Sequence, residues 1–481
     1  MGPLAKNQEG TKGSYDLIVI GAGPGGYVAA IRAAQLGMDV ACVEAKTREG
    51  GLGGVCLNWG CIPAKAMLES AMWARHIQNE AADFGIKVGD VKLDIGAAVD
   101  RSRQVSDRLT KGVKFLFDKN GVTPIFGRAR LAGGLKVDVE LEGGGKRTIS
   151  GKNIVIATGS RPKTFPGFEF DGERVISSRE ALELRKLPDD IVVVGAGATG
   201  MEFADVFSAF GAENVTIVEA LPHLLPLEDE EIAGVVTRSF KKRGIKCKTN
   251  TRIKQLRKLK TKLSVTVEGG NGEETLDCQL LLMAVGRAPN VNDLGLEAAG
   301  VSLTEQGWIQ VDEMNRTNAE HIYAIGDVAG PPMLAHKGSH EGILAVEHIA
   351  GQPTQPMDHH NIPACTYCHP EVASVGRTEK AAGEDGFDVK VGKFPFSANG
   401  RALTAGTPDG MVKVVADSKY GEVLGVHMVG HNVTELIAEA TLGRALETTV
   451  EELAKTVHAH PTLAETVMEA ALAALGRPIH I

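Results

Sequence analysis

Two stretches, about 170 residues apart, repeat one order of local structure: a β-branched run, a Gly-x-Gly-x-x-Gly turn, a small-residue helix, and a strand ending in an acid. The first is Asp16-Leu-Ile-Val-Ile20, then Gly21-Ala-Gly23-Pro-Gly-Gly26, a helix over 27–36 and a strand over 39–44 closing on Glu44. The second is Ile191-Val-Val-Val194, Gly195-Ala-Gly197-Ala-Thr-Gly200, a helix reaching Phe210 and a strand over 215–219 closing on Glu219. Strand–helix–strand order of this kind demands a parallel sheet with helices on its faces, and two copies demand two such sheets. The expected fold class is therefore α/β, with two Rossmann-like dinucleotide-binding domains.

The two units close alike. Ile154-Val-Ile-Ala-Thr158-Gly159-Ser-Arg-Pro162 and Leu281-Leu-Met-Ala-Val-Gly286-Arg-Ala-Pro289 are each a buried strand ending in a glycine turn and a proline. Thr317 to Asp327 reads as a further strand for the first sheet, so the second unit is inserted within the first. After Gly351, shorter alternating strands (411–415, 423–427) give way to Ala- and Glu-rich helices over 432–475, the pattern of an α+β final domain. The expected boundaries are a flexible tail at 1–13, a first domain at 14–160 resumed at 287–356, an inserted domain at 161–286 and a final domain at 357–481.

In each Gly-rich turn the first glycine permits the bend, the second lets a pyrophosphate approach the backbone and the third allows close helix packing; the helix N-terminus supplies N–H donors. Glu44 and Glu219 stand where ribose hydroxyls would donate. Two such turns imply two dinucleotides exchanging electrons. Glu219 is followed by Ala220, Leu221 and Pro222 instead of arginines, which would leave a 2′-phosphate repelled and without a partner; NAD is favoured over NADP.

Cys56 and Cys61 follow the first turn in Gly53-Gly-Val-Cys-Leu-Asn-Trp-Gly-Cys-Ile-Pro-Ala-Lys65. An ideal helix would separate their Cα atoms by roughly 8.6 Å, beyond the roughly 7 Å reach of a bridge, so paired cysteines exclude a regular helix here. Gly60 and Pro63 supply the means of distortion. Near the end, His458-Ala-His460-Pro461-Thr-Leu-Ala-Glu465 reads as an imidazole at the mouth of a helix started by Pro461, with a carboxylate in its first turns. A carboxylate that orients an imidazole makes a base suited to thiols.

Seven cysteines in 481 residues are not a secreted disulfide framework and fit a reducing compartment, so a cytoplasmic location is expected. No signal peptide or membrane span is legible. With 52 basic against 60 acidic residues and no long basic run, nucleic acid is not an expected partner. Cys365-Thr-Tyr-Cys368-His369 lacks the further ligands of a zinc site and reads as structural, as do Cys42, Cys247 and Cys278. Lys241-Lys-Arg243 and the basic stretch 252–262 read as a solvated face.

Together these residues resemble the pyridine nucleotide-disulfide oxidoreductase family, from about Tyr15 into the C-terminal region. Cys56-Leu-Asn-Trp-Gly-Cys61-Ile-Pro resembles its active disulfide, with Trp59 and Ala64 as mild variants, and 317–327 resembles its second flavin motif. The resemblance implies FAD at Gly21, Gly23, Gly26 and Glu44, with Lys65, Thr158, Gly159, Asp327 and Ala335 also at the flavin. NAD would lie at Gly195, Gly197, Gly200, Glu219 and Gly286, with Glu202 near the nicotinamide. It implies catalysis by Cys56, Cys61, His460 and Glu465, and a homodimer formed by the final domain in which the His-Pro-Thr segment serves the other subunit. The branch it is most similar to oxidises protein-bound dihydrolipoamide, which implies lipoyl domains and the acyltransferase core of 2-oxoacid dehydrogenase complexes as partners. An NADPH-dependent thiol reductase of the glutathione or mercuric reductase kind is the enzymatic alternative, disfavoured by the missing arginines and by the lack of adjacent C-terminal cysteines. A flavin-loaded structural subunit is the alternative of another class.

Overall fold

The computed structural model describes residues 12–45, 51–270 and 272–481. The first eleven residues of the expected N-terminal tail lie outside the described residues. β1 (Ser14–Ile20), α1 (Pro24–Gln35) and β2 (Val40–Glu44) make the first strand–helix–strand unit. A short α2 (Gly54–Trp59), α3 (Cys61–Arg75) and the long α4 (Ile95–Asn120) follow. β3 (Thr123–Gly133), β4 (Lys136–Leu141) and β5 (Lys146–Ile156) then form a meander. Its outer strands serve twice: the start of β3 lies parallel to β2 and the end of β5 parallel to β1, while their other halves pair antiparallel with β4. Alternation along β1 sends Leu17 and Val19 into one core with Ala29 and Ala33 of α1, and Ile18 and Ile20 into another with Val137 and Ile149. With both faces covered, the inner part of the strand has to be apolar, hence the unbroken aliphatic run from Leu17 to Ile20.

The second unit is built in the same way. β6 (Ser160–Pro162), β7 (Val175–Ile176) and α5 (Ser178–Ala181) lead to β8 (Asp190–Val194), α6 (Ala198–Ala209) and β9 (Asn214–Val218). After α7 (Glu230–Lys242) and β10 (Lys246–Lys248), the parallel order is β10-β9-β8-β14-β7, with β14 spanning Leu280–Met283. The antiparallel ribbon β11 (Arg252–Lys258), β12 (Leu263–Gly269) and β13 (Gly272–Cys278) is inserted before β14. β15 (Arg287–Pro289) pairs with β6, so the chain leaves and re-enters the first region over one two-stranded ribbon. β16 (Ile322–Ala324) then joins β5 in parallel, the use expected of the 317–327 segment.

The remainder runs α8 (Ala335–Ile349), β17 (Ala364–Thr366), β18 (Glu371–Gly376), α9 (Glu379–Glu384), β19 (Val389–Pro395) and α10 (Gly400–Thr404). β20 (Met411–Asp417) and β21 (Val423–Gly430) complete an antiparallel sheet of order β17-β18-β21-β20-β19. α11 (Val433–Ala445), α12 (Val450–Lys455) and α13 (Glu465–Ala474) pack on it through Ile437, Leu453, Val467 and Ala471. α13 begins at Glu465, four residues later than Pro461 suggested. The Glu465 carboxylate accepts the Thr462 N–H, so the turn after the proline is closed by a side chain before helical hydrogen bonding starts. By compactness the described residues divide into those within 12–64, 100–162 and 287–357 on one side and those within 65–99, 163–286 and 358–481 on the other. Among the described residues no helix is long and apolar enough to cross a membrane.

Candidate active site

The first Gly-rich turn is shaped by contacts only glycine allows. Gly21 has φ +104°, and a Cβ on Gly26 would sit 1.9 Å from the Gly21 carbonyl oxygen. α1 starts after Gly23 with no side-chain cap, which leaves its first N–H groups to a ligand. Glu44 is buried at the end of β2, where its carboxylate accepts the Ala22 N–H and, at 3.1 Å, the Gly51 N–H. Burial raises its pKa to about 7, against the pull of those two N–H groups. The second turn repeats the geometry: a Cβ on Gly200 would lie 1.9 Å from the Gly195 carbonyl oxygen, and α6 starts after Gly197 without a side-chain cap. Glu219, one residue beyond β9, accepts from the N–H groups of Ala196 at 2.7 Å and Leu221 at 2.9 Å.

Just after β16, Asp327 sits in a tight turn over Gly326–Ala329 and accepts the Ser160 hydroxyl. Arg287 donates to Ser160 Oγ at 2.6 Å and to its carbonyl at 2.7 Å. A pair absent from the sequence reading fixes this turn. Lys337 and Glu341, both nearly fully buried, lie 2.9 Å apart; Glu341 accepts the Gly326 N–H and Lys337 donates to the Gly330 carbonyl. Ala335 opens α8, the helix that carries both. Thr158 and Asn290 tie the strand ends together, with Thr158 Oγ1 donating to the Asn290 carbonyl at 2.8 Å. Gly159 and Gly286 both take positive φ, +69° and +107°.

Cys56 lies in α2 and Cys61 opens α3, and the two helices are separated at Gly60, whose φ −143° and ψ −116° are not helical. The expected distortion is thus at Gly60, with Pro63 in the first turn of α3. A Cβ at Gly60 would come within 3.1 Å of the Val55 carbonyl oxygen, so glycine suits the break. Asn58 donates to the carbonyls of Leu52 and Gly54, and Arg103 of α4 donates to the Asn58 carbonyl while stacking 4.5 Å over the Trp59 ring. The segment carrying Cys56 is therefore held from both sides.

Lys65, one turn into α3, donates to both carboxylate oxygens of Glu202 at 2.8 Å and lies 4.5 Å over the Tyr367 ring. Glu202 also accepts the Tyr367 N–H at 3.0 Å. One turn further along α6, fully buried Asp205 accepts from Arg75 at 2.9 Å, from Arg243, and from the His369 N–H at 3.0 Å. Arg243 is thus not part of a solvated face; the exposed strand β11 does fit that reading. Sequence spacing could not pair Arg75 or Arg243 with Asp205, although an Asp set among Phe203, Ala204, Val206 and Phe207 was a legible signal. Burial and the neighbouring Arg75 push the His369 imidazole down to about 3, and burial pushes the Cys365 thiol up to about 12, so neither is poised for chemistry near neutral pH.

His460 is mostly exposed, and its Nδ1 lies 2.9 Å from Glu465 Oε1. Partial burial acts to raise the Glu465 pKa, but the Thr462 N–H, His460 and His458 together hold it below the ordinary carboxylate value. An ionised Glu465 makes Nδ1 the protonated nitrogen and leaves Nε2 as the proton acceptor.

Two dinucleotide turns, a cysteine pair at a helix break and an imidazole–carboxylate dyad define a redox protein that works through thiols. Residues 15–342 match the family described as pyridine nucleotide-disulphide oxidoreductase, residues 362–471 match its dimerisation domain, and the chain belongs to that family. It is 46% identical to a dihydrolipoyl dehydrogenase of Rhizobium etli, covering 97% of this chain and 99% of that one. It is 45% identical to a dihydrolipoyl dehydrogenase of Zymomonas mobilis with the same coverage. Among solved structures it superposes on LpdA from Mycobacterium tuberculosis with a TM-score of 0.87 at 29% identity, over 95% of this chain and 98% of that one. The HOCl-induced flavoprotein disulfide reductase RclA from Escherichia coli gives 0.84 at 26%, over 95% and 99%.

Proposed function

We propose that the chain oxidises protein-bound dihydrolipoamide to lipoamide with NAD as electron acceptor, as a dihydrolipoyl dehydrogenase does. The break at Gly60, which ends the helix carrying Cys56 one residue before Cys61 opens the next, is the observation that carries the redox reading. FAD and NAD are its cofactors. FAD is held by the turn at Gly21–Gly26 with Glu44 and Asp327, within a domain of residues 14–160 and 287–356. NAD is held by Gly195–Gly200 and Glu219 in residues 161–286. The carboxylate at 219, with no arginine after it, supports NAD over NADP.

When bound, the flavin accepts an electron pair from the reduced cysteines and hands it on as hydride to NAD. The chain's own residues do the rest. His460 Nε2 removes a proton from a dihydrolipoamide thiol while Glu465 holds Nδ1. The thiolate attacks Cys56 Sγ, the Cys56–Cys61 bond breaks, and Cys61 leaves as a thiolate. The second substrate thiol, once deprotonated, attacks the substrate sulfur joined to Cys56, closing lipoamide and releasing Cys56. Lys65, clamped by Glu202 and Tyr367, places a fixed positive charge one helical turn from Cys61. Residues 357–481 form a two-fold dimer, and the exposed His460 serves the cysteines of the second subunit. The natural substrate is a lipoyl domain on the acyltransferase core of a 2-oxoacid dehydrogenase complex in the cytoplasm.

Purified holoenzyme assayed with NAD and NADP, each against dihydrolipoamide and glutathione, tests this directly. Turnover of dihydrolipoamide with NAD is expected, and Cys56→Ser should abolish it while the flavin absorbance persists. A preference for NADP with glutathione, or full activity in Cys56→Ser, refutes the reading.

A further inference from the structure

Two residues before the base stands a second imidazole–carboxylate pair. The His458 side chain is 5% exposed, against 78% for His460. Its Nδ1 lies 2.9 Å from the Thr456 carbonyl oxygen and its Nε2 2.6 Å from Glu439 Oε1 on α11. A carbonyl oxygen and an ionised carboxylate only accept, and a neutral imidazole has a single N–H. Both ring nitrogens face such acceptors, and only an imidazolium can donate to the two at once. The rest of the loop is pinned as well: Thr462 Oγ1 donates to the Ala459 carbonyl at 2.7 Å, and Asn399 Nδ2 donates to the Thr462 carbonyl at 3.0 Å. His458 is thus a buried ring tied at both nitrogens in a fixed loop.

We propose that His458, held by Glu439 as an imidazolium, is a positioning residue for the base: it anchors the loop that presents His460, and its charge favours the hydrogen bond between the Glu465 carboxylate and His460 Nδ1. The kinetic part rests on the dihydrolipoamide reading given above. The titratable groups acting on Glu465 are His460 and His458 of its own loop, and Glu439 faces His458 from α11. Removing the His458 cation lets the His460–Glu465 dyad retain its proton to higher pH, since a nearby positive charge disfavours protonation. The acid limb of kcat/KM should therefore move upward, by roughly half a pH unit for a charge at this range near the surface.

The test compares wild-type, His458→Gln and Glu439→Gln holoenzymes. Dihydrolipoamide oxidation is followed from pH 5.5 to 9, with NADH oxidation by ferricyanide, which needs no thiol base, as control. In His458→Gln, kcat should fall roughly 3- to 10-fold with the acid limb displaced upward and the ferricyanide rate unchanged. Glu439→Gln removes the anion and leaves the ring at 458, so it should move the limb the other way, downward, and this opposite shift decides the matter if His458→Gln does not fold. The Glu465 carboxyl carbon signal, assigned by its loss in Glu465→Gln, should titrate at higher pH in His458→Gln. An unmoved limb and an unmoved Glu465 titration in a wild-type-like background overturn the proposal, as does a fall in both activities without a pH shift. If the wild type fails to oxidise dihydrolipoamide, the functional reading falls, and the carboxyl titration alone then decides this one.

Discussion

Replacing Asp205 by Asn would strand two buried cations. Asp205 is fully buried and serves Arg75 and Arg243 with one carboxylate oxygen and the His369 N–H with the other. The Arg75 and Arg243 side chains are only 10% and 20% exposed, so water cannot replace the lost charge. An asparagine keeps one acceptor, and its NH2 group must face a donor, so at least one of the three bonds is lost. Breaking a buried pair by removing one partner typically costs about 3–5 kcal/mol, because the other charge remains uncompensated. At about 2 °C per kcal/mol for a large domain, the first thermal transition of the holoenzyme should fall by roughly 5–10 °C. Because Tyr367 and His369 are both tied to α6, loosening the second tie should also weaken the hold on Glu202 and Lys65, and NAD reduction should slow. Differential scanning calorimetry and steady-state assays read both effects. The control is the triple change Asp205→Leu, Arg75→Met, Arg243→Met, which removes every charge and should recover most of the stability. If the triple variant melts as low as Asp205→Asn, the uncompensated arginines are not the cause and the reasoning fails.

His460→Gln should lower dihydrolipoamide turnover by about 10²- to 10⁴-fold without loss of flavin, as steady-state kinetics and absorbance would show. Gly200→Ala puts a methyl 1.9 Å from the Gly195 carbonyl oxygen and should raise the KM for NAD at a cost of about 1–3 kcal/mol, while FAD stays bound. Glu228 has one buried carboxylate oxygen with no hydrogen-bond partner, and burial raises its pKa to about 7 against a hydrogen bond from Ser374. A raised folded pKa means this group's contribution is fully present below its unfolded value near 4.5 and is lost as pH rises through about 7. Glu228→Gln should therefore gain stability relative to wild type between pH 5 and pH 8, by up to about 3 kcal/mol, and parallel melting curves across that range would refute it.

The parts of this molecule that were legible in the sequence are those specified by near neighbours. The strand at 14–20, the glycine turns at 21–26 and 195–200, and the helix break at Gly60 each follow from steric demands within a few residues. β16 was legible because its apolar run could serve only a sheet already implied. The clamps around the site were not. Lys65 with Glu202, Arg75 with Asp205, and Ser160 with Asp327 join residues more than a hundred positions apart, so no local pattern names either partner from the other. Arg243 shows the consequence: within Lys241-Lys-Arg243 it looked solvated, yet its guanidinium reaches the buried Asp205. The start of α13 was misplaced for a related reason, because a proline permits a helix start while the hydrogen bond from Thr462 to Glu465 decides where it occurs.

β16 completes the sheet begun by β1, but the ribosome delivers it about 170 residues after β5 has emerged. At about 5–20 residues per second, the edge of β5 waits on the order of ten to thirty seconds for its neighbour. The parallel sheet of the inserted unit, whose strands all lie from β7 to β14, has every strand it needs during that interval. Maturation in the cell therefore runs in the reverse of chain order at this point: the sheet of the inserted unit can close while the region that opened the polypeptide still has an open edge, which stays unpaired until the strand before Asp327 has been made.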